Sequence, residues 1–211
     1  MNENTAQLAP APSASASASA SAASDPRLDL ASALTLAGQV LAAVRPGQYD
    51  APTPCAEFDV RRLSSHLVAV ARRVTVIGRG EDPFSVPSFA DEVPDGAWSA
   101  AWEPAAAEAL AVWADPEILS REVRVPAGVM PGAAAALMYT HEFTVHTWDL
   151  ARATGQRPQW DQALAERALA VTQRILPAAI RDGRVPFGEV VAVDADAPAI
   201  DRLVAWAGRR P

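Results

Sequence analysis

The chain has 211 residues, half of them hydrophobic, which suffices for one core of ordinary domain size. A formal charge of -7 and a pI near 4.9, with no long basic run, argue against a surface that tracks phosphates, so nucleic acid is not an expected partner. The single cysteine, Cys55, leaves no intramolecular disulfide and no thiolate zinc cage.

No apolar run approaches the ~18 residues that span a bilayer, and the start lacks a basic n-region and an apolar h-region. A cytoplasmic protein without a membrane partner is expected. Residues 1–24 end in APAPSASASASASAAS, a tract with nothing large to bury, and read as a disordered tail. Residues 25–211 read as one all-α unit.

Asp25 and Pro26 supply an N-cap and a first helical residue, and Leu30, Leu34, Leu41 and Val44 recur at helical spacing as far as Pro46. Asp59 caps a second helix whose stripe is Val60, Leu63, Leu67, Val70, Val74 and Ile77. A third face carries Trp98, Trp102, Ala105, Ala109, Val112 and Trp113, and Pro104 is expected to kink or restart it. SREVRVPAGVMPG reads as an extended crossover. The next helix begins at Pro131 and ends at Gly155. A further helix carries Leu164, Ala168, Val171 and Ile175, and a short one surrounds Asp201 to Ala207 after the extended FGEVVAVDADAP. Long amphipathic helices with few strands imply a four-helix bundle with an extended crossover and a short C-terminal helix.

Two of the three histidines fall in YTHEFTVHTWDLARATG, Tyr139 to Gly155. Glu142 and His146, four apart on one helix, share a face. His66 lies on the flank of the second helix's stripe and points inward. His66, Glu142 and His146 together make a two-histidine, one-carboxylate set that leaves positions open on one metal ion. The Glu and Glu-x-x-His repeats of a di-iron site are absent. His141, about 100° round the helix from Glu142, is expected at the surface or supporting a ligand. Asp149 has two readings, orienting a ligand imidazole or pairing with Arg152. Cys55 reads as a small buried residue, and Trp98, Trp102 and Trp148 as core or cavity wall.

TPCAEFDVRRLSSHLV, HEFTVHTWDLARATG and PFGEVVAVDADAPAIDRLVAWAGRRP together resemble the actinobacterial metal-binding family related to the N-terminal domain of mycothiol-dependent maleylpyruvate isomerase, in the DinB-like superfamily. The resemblance implies a DinB-like bundle, with His66, Glu142 and His146 at the positions of the family's metal ligands. Phe58 stands where relatives carry tryptophan. The isomerase has a second, C-terminal domain for which this chain leaves no room, so metal binding is implied and the isomerase reaction is not.

Two functions stay open. One is a metal-dependent enzyme, a thiol transferase or isomerase-like, using one divalent ion, Zn2+ first and Ni2+ second. Its partners would be a small-molecule thiol, which the resemblance implies is mycothiol, and an electrophile. The other is a non-catalytic metal or small-ligand binding protein. Either would act as a monomer or homodimer.

Overall fold

The computed structural model describes residues 25–181 and 188–211. The expected tail over 1–24, and Phe187 of the last extended segment, lie outside the described residues.

Helix α1, Pro26–Ala42, starts where Asp25 accepts a hydrogen bond from the Arg27 amide at 3.0 Å. Helix α2, Val60–Gly78, is capped by Asp59, which accepts from the Arg62 amide at 2.7 Å. Helix α3, Trp98–Trp113, runs unbroken through Pro104. The helix does not restart at the proline, and its Trp102, Ala105 and Ala109 face is buried on both sides of it. Helix α4, Gly132–Thr154, stops at Gly155, whose φ of 70° is the left-handed cap that glycine adopts without strain. Helices α5, Gln162–Ile175, and α6, Ala199–Trp206, complete the chain.

Helix α1 packs on α3 and α4, and α2 packs on the same two, so the first four helices close a ring around one core. That is the all-α, DinB-like arrangement expected. Large side chains from all four fill it: Leu30, Leu34, Leu63, Leu67, Trp102 and Phe143 are all buried. Trp102 meets Phe143 edge-on at 5.7 Å, and Trp113 donates its indole N–H to the Val74 carbonyl at 2.9 Å. A second apolar cluster joins Val145 and Trp148 of α4 to Ala168 and Leu169 of α5 and Ile200, Leu203 and Val204 of α6.

The expected crossover between α3 and α4 is a hairpin. Strand β1, Glu122–Val125, pairs antiparallel with β2, Gly128–Pro131. Val123 and Val125 alternate inward, Pro126 and Ala127 form the turn, and Gly128, at φ 134°, opens β2. The hairpin delivers Gly132 against the turn Pro116–Leu119, where its amide donates to the Arg121 carbonyl at 2.8 Å. A Cβ on Gly132 would stand 1.9 Å from the Ile118 carbonyl oxygen, so only glycine lets α4 begin there. Among the described residues no helix is long and apolar enough to cross a membrane.

Candidate metal centre

His66 sits on α2, Glu142 and His146 one turn apart on α4, and these two helices pack side by side. The structure brings the three side chains together, with one nitrogen from each ring and one carboxylate oxygen all within 4.8 Å of one another. His66 Nε2 lies 3.1 Å from Glu142 Oε1, and His146 Nε2 lies 3.5 Å from the same oxygen.

The second nitrogen of each ring is tied down. His66 Nδ1 is 2.9 Å from the Ser88 carbonyl oxygen, which only accepts, so that nitrogen carries the proton. His146 Nδ1 donates to Asp149 Oδ2 at 3.2 Å. Asp149 in turn receives Arg209 through two bonds, Nη2 to Oδ2 at 2.9 Å and Nε to Oδ1 at 3.2 Å. Burial works against the Arg209 charge, but the Asp149 contacts outweigh it and raise its pKa. The structure thus decides between the two readings of Asp149: it orients His146, while Arg152 lies over the Trp148 ring.

Both imidazoles, anchored through Nδ1, turn Nε2 toward the Glu142 carboxylate. Two ring nitrogens and a carboxylate oxygen so close together require either a proton or a metal cation between them. With protons there, burial is the largest influence on Glu142 and resists its ionisation. The charges of His146 and His66 and the His66 contact outweigh it, and the carboxyl is held well below the usual range.

Aromatic rings close one side. The Phe58 ring lies 5.3 Å from that of His66 and 6.2 Å from that of His146, and Phe89 lies 5.6 Å from His66 with the Arg62 guanidinium over its outer face. Glu142 also lines a cavity of about 400 Å³ between α2, α4 and α5, with Val70, Met138, Ile175 and Leu176 as apolar walls and Arg73 among its polar lining.

Cys55 is half-buried, and its sulfur forms a second close group with His146 and Asp149. Asp149 is already committed to Arg209 and His146, and burial pushes the thiol pKa up, which keeps it protonated. His141 is not at the surface. Helix α5 covers it, leaving it 5% exposed with Nδ1 bonded to Thr172 Oγ1 at 2.8 Å. Burial, partly opposed by Glu142, lowers its pKa to about 4, so the ring is neutral. Thr172, Arg209 and the Ser88 carbonyl were not foreseen. The only signal in the sequence was that Arg209 belongs to the ending AWAGRRP, itself part of the resemblance.

The fold and this cluster define a helical-bundle protein with a His, Glu, His set shared by two facing helices. A model of the mycothiol maleylpyruvate isomerase N-terminal domain matches residues 30–151, more than half of the chain, and the chain belongs to that family. Two relatives are uncharacterised proteins of Mycobacterium tuberculosis, MT0763 of strain CDC 1551 and Rv0738 of strain H37Rv. Each is 34% identical over 171 residues, covering 81% of this chain and 90% of its own. No solved structure matches the chain significantly.

Proposed function

We propose that His66, Glu142 and His146 hold one divalent metal ion, Zn2+ before Ni2+, and that the protein is a metal-dependent thiol transferase or isomerase-like enzyme of the cytoplasm. The observation that carries this reading is the convergence of His66 Nε2, His146 Nε2 and Glu142 Oε1 with both imidazoles anchored at Nδ1. The spacing fits as well. The edge of a tetrahedron with metal bonds of ~2.0–2.1 Å is about 3.3 Å, and the two separations from Glu142 Oε1, 3.1 and 3.5 Å, bracket it.

When bound, such an ion supplies a Lewis acid that lowers the pKa of a thiol sharing its coordination sphere. Ser88 and Asp149 fix the two ligand rings, and Arg209 holds Asp149 in place. Phe58 and Phe89 keep water from the closed side. The cavity beside Glu142, with apolar walls and a few polar groups, seats the organic partner, an arrangement expected of an enzyme rather than of a closed structural site. Family membership makes mycothiol the first thiol to test.

Elemental analysis of the purified protein, with conjugation of mycothiol to a panel of electrophiles before and after metal removal, tests the proposal. About one equivalent of metal and conjugation that follows it are expected. Conjugation unaffected by chelation would remove the metal from the reaction, and a protein that takes up no divalent ion would end the reading.

A further inference from the structure

Besides Arg73 and Thr172, which are bonded within the fold, the cavity beside Glu142 is lined by two polar side chains that the metal set does not use, Tyr139 and His141. Successive residues turn about 100° round a helix, so Met138 and Glu142 form its floor while Tyr139 and His141 rise on opposite sides. Both are 5% exposed. Among the described residues, neither the Tyr139 hydroxyl nor His141 Nε2 has a hydrogen-bond partner, and neither is sealed from solvent.

The state of the His141 ring follows from its anchor. The Thr172 hydroxyl donates its one proton to the Ala168 carbonyl at 2.7 Å, so at the 2.8 Å contact with His141 it accepts. Nδ1 therefore carries the hydrogen, and Nε2 is a bare lone pair. His141 lies outside the group of atoms that converge around Glu142. Its lone pair is therefore available to a molecule in the cavity, where Val70, Met138, Ile175 and Leu176 supply apolar walls and Arg73 is already bonded to the Pro83 and Val86 carbonyls.

We propose that His141 is a specificity-determining contact: its Nε2 accepts a hydrogen bond from an O–H or N–H on a small, mainly apolar ligand seated between α2, α4 and α5. The ligand class is an apolar body of aromatic-ring size bearing one donor. Such a donor satisfies a nitrogen that is otherwise unpaired, and a ligand lacking one leaves it so. This rests on the cavity being the ligand site of the reading above, but not on the metal.

The test uses the full chain with its histidines labelled with nitrogen-15, free of metal, and phenol and toluene as probes. The His141 signals should show the Nδ1–H form, and phenol should shift Nε2 while toluene does not. In His141→Phe the preference for phenol over toluene should fall by about 2- to 10-fold, the range of one hydrogen bond. Thr172→Val should release the ring into a mixture of tautomers and weaken phenol with less change to toluene. A ring protonated at Nε2 in the wild type overturns the proposal, as does absence of phenol binding or an unchanged preference in His141→Phe. Zn2+ titration of the same samples separates the two ideas. Zn2+ uptake without a phenol preference ends this inference alone, and a phenol preference without Zn2+ uptake ends the metal reading alone.

Discussion

His66 is the ligand that α2 contributes, and replacing it with alanine leaves Glu142 and His146 on a single helix. Zn2+ affinity should then collapse in His66→Ala, as read by calorimetric titration of the metal-free protein. Asp149 touches no ion, yet it fixes the proton on His146 Nδ1 and the direction of that ring. Loss of such a partner costs ~10- to 100-fold in metal affinity, so Asp149→Ala should fall between the wild type and His66→Ala. A wild-type affinity in Asp149→Ala would show that the contact with His146 is incidental. His141 sets a pH dependence. Its pKa near 4 lies below the 6.5 of an unfolded histidine. The unfolded chain therefore binds the proton first, and stability present above pH 6.5 is lost as the pH falls toward 4. Glu142 and His146 on α4, with Arg181 and Arg209 beyond α5 and α6, face this ring. In metal-free protein, denaturant titrations should show His141→Phe losing less stability over that window than the wild type. Parallel profiles would mean that the ring is solvated or charged when folded.

At the scale of elements, the start of α4 decides where two of the three proposed ligands stand. Gly132→Ala should lower the melting temperature, since the new methyl meets the Ile118 backbone oxygen and the hairpin must shift. Overpacking of this kind costs ~1–3 kcal/mol, and an unchanged transition would mean the turn Pro116–Leu119 yields freely. The helices themselves were largely legible, because caps such as Asp59 and stripes such as Leu63, Leu67, Val70 and Val74 are local signals. The His66, Glu142 and His146 convergence was legible for the same reason: an inward flank on one helix and a four-residue spacing on another. The hairpin was not, because its short apolar run, VRV, is too brief for a period and its pairing depends on what α3 and α4 leave uncovered. Burial of His141 and the pinning of Asp149 by Arg209 also escaped. Both are set by how α5 and α6 dock, and nothing local to YTHEFTVHTWDLARATG records which side of α4 they cover.

At the scale of the whole molecule, the proposed ion would tie α2 to α4 across a separation of 76 residues between His66 and Glu142. The core does not depend on it, since Leu30, Leu34, Leu63, Leu67, Trp102 and Phe143 are buried in one apolar cluster that includes none of the three proposed ligands. Metal removal should leave the chain folded, unlike a zinc finger. Free Zn2+ at a hundred times Kd should add ~2.7 kcal/mol of stability. A melting temperature that does not rise with Zn2+ would mean that the folded form has no site. The second apolar cluster, by which α5 and α6 pack on Val145 and Trp148 of α4, has a further consequence, one of time rather than of place. Thr172 rides on α5 and Arg209 follows α6, so the groups that orient His141 and Asp149 belong to a small unit with its own core. Such units open independently of the rest and below the global unfolding free energy. Amide hydrogens of α5 and α6 should therefore exchange with deuterium before those of α2 and α4. Each opening would release both supports together, so the cavity beside Glu142 would be shaped in bursts, at a rhythm that exchange mass spectrometry can read. Uniform exchange across all six helices would mean that the two clusters melt as one.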